Sequence, residues 1–127
     1  MKHNKWYVLM VALTLFALAL TACGGSSSSG FPTGKFVDAN NSEGGFIFNE
    51  DGTWESYNGI YTLAKGTYSA TNDTYTEETS NSECPAMSFK YTFDGENLTF
   101  QLTEEAQADP CSGRKDAFDN RTYILTK

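Results

Sequence analysis

The chain has 127 residues, with 16 Asp and Glu against nine Lys and Arg, a net charge of −7, three cysteines and one histidine. Such a balance lacks the clustered Lys and Arg that hold nucleic acid and offers no electrostatic grip on an anionic lipid surface. The acidity itself reads as a device for solubility.

The chain opens with a short basic start, Lys2, His3 and Lys5, followed by 15 residues from Trp6 to Leu20 in which only Thr14 is polar. A membrane-spanning helix wants about 20 apolar residues. A basic start, a shorter apolar run and small residues before a cut describe a secretory signal. The run ends Leu20-Thr21-Ala22-Cys23, which resembles the lipobox of bacterial lipoproteins. That resemblance implies cleavage before Cys23, with lipid on its thiol and on the new amino end. Two or more acyl chains hold a protein on a membrane stably, because each buried CH₂ contributes about 0.8 kcal/mol. Residues 1–22 are therefore expected to be a signal peptide. Residues 23–30 are expected to be the lipidated cysteine and a flexible Gly/Ser linker. The expected location is the cell envelope. The residue after Cys23 is Gly24 rather than the Asp that retains some lipoproteins on an inner membrane. The anchor is thus expected in the outer membrane of a Gram-negative cell, and otherwise on the outer face of the plasma membrane.

Removal of the signal takes Lys2, Lys5 and His3, leaving seven basic against 16 acidic residues, a side-chain charge of −9. Without histidine the remainder cannot build a Ser-His-Asp or Cys-His nucleophile or a His-ligated zinc site. The chain is accordingly expected not to be an enzyme and to need no cofactor or metal. Cys84 and Cys111 remain, and an even pair in an exported chain reads as a disulfide.

From Phe31 onward 97 residues can form one small domain. Strand signals dominate it. Gly34 to Val37 is a first strand. Phe46 to Phe48 and Thr53 to Tyr57 flank Asp51-Gly52, a hairpin signal. Ile60 to Ala64 reads as a short strand or loop, Gly66 to Thr71 as the next strand, and Thr74 to Glu78 follows the turn Asn72-Asp73. Phe89, Tyr91 and Phe93, then Leu98, Phe100 and Leu102, alternate with polar residues about Asp94-Gly95, the pattern of two half-buried strands. Thr103 to Phe118 could hold a helical turn limited by Pro110 and Gly113. Thr122 to Thr126 is a last strand. About eight strands at regular spacing predict an all-β antiparallel barrel or sandwich. In a barrel, residues 34–37 should pair with 122–126 to remove the edges.

Taken in order, Gly34-Lys35-Phe36, F-x-x-D-G-T-W from Phe48, G-T-Y-S from Gly66, Cys84, Y-T-F-D-G-E-N-L-T-F from Tyr91 and D-P-C-S-G-R from Asp109 resemble the lipocalin-like domains of small bacterial lipoproteins. The resemblance covers residues 31–127. It implies a small up-and-down β-barrel of the calycin type, able to hold a small apolar ligand. Phe36 stands where lipocalins proper carry a tryptophan, and the resemblance gives Arg114 or Arg121 the structural role of stacking on it. The interior is expected to be either open, with Phe36, Trp54, Phe89, Tyr91 and Phe100 facing the ligand, or filled by these same rings. The alternative function is a ligand-free interaction module of the envelope.

Other motifs carry less. Asp38 to Gly44 has alternating oxygen ligands, but Glu43 and Asn49 stand where a calcium loop needs Gly and Glu, so a polar loop is expected. Glu77-Glu78 and Glu104-Glu105 are adjacent pairs, and neighbours on a strand point to opposite faces. They are expected to be partly solvated rather than catalytic. Asp109 to Arg114 is expected to be a turn pinned by the disulfide.

Overall fold

The computed structural model describes residues 30–127. Eight strands run in order: β1 (Gly34–Asp38), β2 (Asn41–Phe48), β3 (Thr53–Asn58), β4 (Tyr61–Ala70), β5 (Thr74–Thr79), β6 (Met87–Phe93), β7 (Asn97–Leu102) and β8 (Arg121–Leu125). Each pairs antiparallel with its neighbours in sequence, and the set closes into one up-and-down barrel. Closure is made by β1 on β8, with Phe36 opposite Leu125, Val37 opposite Ile124 and Asp38 opposite Tyr123. This is the pairing expected of the first and last strands, and it leaves no open sheet edge. A 3-10 turn (Ala106–Ala108) and one helix, α1 (Ser112–Phe118), lie between β7 and β8. Strands, core and disulfide all fall within residues 30–127, so this segment carries its own core, as a domain requires.

Two hairpins form where the sequence places Asp-Gly. Gly52 and Gly95 take φ of +83° and +103°, the left-handed region in which a side chain is strained. The aspartate before each glycine closes the turn. Asp51 Oδ1 accepts the Thr53 N–H at 3.0 Å, and Asp94 Oδ1 accepts the Asn97 N–H at 2.7 Å.

Two local expectations are corrected. The segments around Ile60–Ala64 and Gly66–Thr71 are one ten-residue strand, β4. Gly66 does not break it. A Cβ there would lie 1.8 Å from the Glu78 carbonyl oxygen, so glycine is what allows β5 to cross so closely. The polar stretch Asp38 to Gly44 is mostly strand, because β2 starts at Asn41 and only Ala39-Asn40 turn. The short helix expected within Thr103 to Phe118 is present as α1, which starts just beyond Pro110, contains Gly113 and runs for seven residues.

The interior is aromatic. Phe36, Phe48, Tyr75, Phe89, Phe100 and Phe118 are fully buried. Phe31, from the segment ahead of β1, enters one end of the barrel. Its ring lies 4.9–5.3 Å from those of Phe48, Tyr68, Tyr75 and Tyr91. Phe118, from α1, enters from the other end and stacks on Phe89 at 4.2 Å. Each such ring pair contributes about 0.5–1.5 kcal/mol beyond burial. The tyrosine hydroxyls find partners as burial requires. Tyr68 donates to the Asn49 carbonyl at 2.8 Å and Tyr123 to the Ala117 carbonyl at 2.6 Å.

Candidate functional site

The up-and-down topology gives the barrel two unlike ends. At the Phe31 end lie the tight Asp-Gly turns and the packed rings. At the α1 end lie the β5–β6 loop and the β7–β8 connection, joined by the Cys84–Cys111 disulfide with Cα atoms 5.8 Å apart. The expected bridge is therefore present. Between this strap and the barrel wall opens a cavity of about 780 Å³, within the range of small-molecule sites, about 300–1,000 Å³. Its apolar side is Phe46, Trp54 and Phe118, and its polar side is Asp38, Glu77, Arg114 and Arg121.

Of the five residues expected to face a ligand, only Trp54 lines this cavity. Its indole N–H is engaged with the Thr67 carbonyl at 3.1 Å, so it presents an apolar face. Phe36, Phe89 and Phe100 are fully buried and Tyr91 is nearly so, all within the packed aromatic cluster. The arginine stacking on Phe36 is not formed. Phe36 packs on Phe48 and Phe93 at 5.8 and 6.1 Å, and both arginines are drawn to carboxylates instead. Among the described residues the cation–π contact is that of Lys35 with Tyr57, 4.9 Å from the ring centroid. Cys23 lies outside the described residues.

Arg114 keeps a structural role of a different kind. Its Nε and Nη2 donate to the two oxygens of Asp109 at 2.7 and 2.8 Å, a bidentate fork. Burial would raise the Asp109 carboxyl, but hydrogen bonds from Arg114 and the Cys111 N–H, with the guanidinium charge, hold it below the usual range. On the opposite wall Arg121 Nη2 is paired with Asp38 Oδ2.

The Glu77-Glu78 pair divides between the two faces of β5, as neighbours on a strand should. Glu78 is exposed, but Glu77 is 1% exposed and faces inward, two positions after the buried Tyr75. Its Oε2 accepts the Tyr75 hydroxyl at 3.2 Å, and its Oε1 stands 3.6 Å from Arg114 Nη1. Burial raises its pKa from 4.5 to about 7, against the pull of Arg114 and Tyr75. The signal for this lay in the strand period: once Tyr75 faces in, Glu77 must too. Asp38 and Arg121 carried no such signal, since their meeting depends on β1 closing against β8.

No family model, curated protein or solved structure matches the chain. The closed eight-stranded barrel is compatible with a lipocalin-like architecture, and the site must be read from its own chemistry.

Proposed function

We propose that this chain is an envelope lipoprotein, anchored through a lipidated Cys23, whose barrel binds a small molecule with an apolar body. The observation that carries the reading is the cavity of about 780 Å³ at one end of a barrel whose other end is packed solid with aromatic rings. Phe31 follows the Gly/Ser linker and enters the packed end. The linker would thus place that end toward the membrane and the cavity mouth away from it.

The test uses residues 24–127 and N-phenyl-1-naphthylamine, an apolar probe that fluoresces when sheltered from water. One probe should bind per chain and raise the melting temperature. Trp54→Ala should weaken binding about tenfold, the order of about 1.4 kcal/mol expected for removing much of an aromatic wall. No binding and no thermal shift would sink the ligand reading. A second reading, an interaction module, would then take its place. It is favoured by Ile60, Tyr61 and Leu63 at the β3–β4 hairpin, which are 91%, 70% and 65% exposed beside the mouth.

A further inference from the structure

The fork between Arg114 and Asp109 uses Nε and Nη2 and leaves Nη1 over. That nitrogen is buried and makes no hydrogen bond within the described residues. The Arg114 side chain is only 7% exposed. The Glu77 oxygen facing it, at 3.6 Å, is beyond hydrogen-bonding distance. A buried guanidinium donor without a partner is costly, and Arg114 borders the cavity. An oxygen acceptor of a ligand would satisfy it.

The charges around the cavity decide what kind of acceptor fits. Arg114 and Arg121 are matched by Asp109 and Asp38. Two carboxyls are left over, Asp116, which is exposed to solvent at the cavity lining, and Glu77, which is buried. The other titratable groups facing it are Tyr75 on its own strand, Arg114 on α1, Asp109 ahead of α1, and Tyr123 on β8. With Glu77 ionised the inner groups carry one excess negative charge and repel an anion. With Glu77 neutral the inner groups balance, and a buried anion would find Arg114 Nη1 free to donate, with the Asp109 and Asp38 carboxylates each already paired with an arginine.

We propose that the cavity takes a small amphiphile with a monoanionic oxygen head group, seated on Arg114 Nη1, and that Glu77 takes up a proton as this head group enters. The proposal rests on the reading of the cavity as a ligand site. The proton comes from solvent and returns there on release. The apolar body would lie along Phe46, Trp54 and Phe118. Burial already holds the Glu77 carboxyl up at about 7, so its protonation near neutral pH is inexpensive. The head group and the carboxylate would compete for the same guanidinium edge.

The experiment compares two probes on residues 24–127. One is 1-anilinonaphthalene-8-sulfonate, whose charge does not titrate near neutral pH. The other is N-phenyl-1-naphthylamine, its neutral twin. At pH 6 the sulfonate should bind one per chain and more tightly than the twin. Above about pH 7 it should lose about tenfold in affinity per pH unit, while the neutral probe stays level. Calorimetry at pH 8 in two buffers of different ionisation enthalpy should show about one proton taken up per sulfonate bound. In Glu77→Gln, which keeps the shape without the charge, the sulfonate should bind at pH 9 as the wild type does at pH 6. Three results would overturn the proposal: a sulfonate that binds no more tightly than its twin at pH 6, a wild-type affinity unchanged from pH 6 to 9, or a pH slope that persists in Glu77→Gln. If the neutral probe still binds in those cases, the ligand reading stands and only the head group and its proton are wrong. If neither probe binds at any pH, both fall.

Discussion

Glu77 is a carboxylic acid held in the wall of an aromatic barrel, and its energy is set by two opposed effects. Burial raises its pKa, while Arg114 and the Tyr75 hydroxyl pull it back, leaving it at about 7. In the unfolded chain it returns to its ordinary value near 4.5. The folded state therefore prefers the protonated acid, and the sign follows. Stability is fully present below about pH 4.5, declines as the unfolded chain begins to ionise, and reaches its floor once the folded acid ionises above about 7. A shift of this size corresponds to about 3 kcal/mol of stability. Glu77→Gln removes the titration. Urea denaturation at pH 5 and pH 8 should show the wild type losing about 2.5 kcal/mol of stability relative to the variant, since part of the loss has already occurred by pH 5. A difference between the two proteins that does not change with pH would mean that Glu77 is not held near neutrality.

At the scale of elements, α1 cannot stand alone. It has seven residues, includes Gly113 and has no side-chain N-cap bond, and helices this short are not stable in water by themselves. It is held from several sides. Phe118 stacks on Phe89, the Ala117 carbonyl accepts the Tyr123 hydroxyl, Arg114 spans to Asp109, and Cys111 is tied to Cys84 across 27 positions of sequence. Closing a loop of that length contributes about 3–4 kcal/mol in the chain-entropy treatment. Cys84→Ser with Cys111→Ser should lower the unfolding free energy by about that much, read from the urea midpoint. Hydrogen exchange should locate the change. Amides of 112–118 should lose more protection than the global loss accounts for, and those of the β6–β7 hairpin should lose no more than it. Equal losses at both places would show that the bridge stiffens the whole barrel and not the strap over the cavity.

For the molecule as a whole, closure of β1 on β8 removes the sheet edges, and the two ends of the resulting barrel do different work. Phe31 fills one, and the strap with its cavity occupies the other. The end that Phe31 enters is thus the solid one, which would suit the proposed tether by leaving the mouth free. The proposed tether is tested by Cys23→Ser, which should move the protein from the detergent phase to the aqueous phase and abolish labelling by a radioactive fatty acid. Unchanged partitioning and labelling would refute lipid attachment at Cys23.

Much of this was legible in the chain itself. Period-two alternation about Asp94-Gly95 and Asp51-Gly52 is local chemistry, since each pattern needs only its own hairpin to explain it, and the strands stand where it puts them. The Cys84–Cys111 pair follows from an even count of cysteines once export is expected, and the bridge is present. Gly66 misled because a glycine inside a strand looks like a break until the crossing strand is present. The filling of the interior was undecidable in advance. Phe36, Phe89 and Phe100 have the same alternation whether they line an open cup or meet one another, and what settled it was Phe31 and Phe118 entering from opposite ends of the barrel. The charged wall of the cavity belongs wholly to the tertiary structure. Arg121 meets Asp38 from 83 positions away and Arg114 meets Glu77 from 37. Burial, the force that brings Glu77 to the edge of neutrality, is a property of the closed barrel and not of any stretch of sequence.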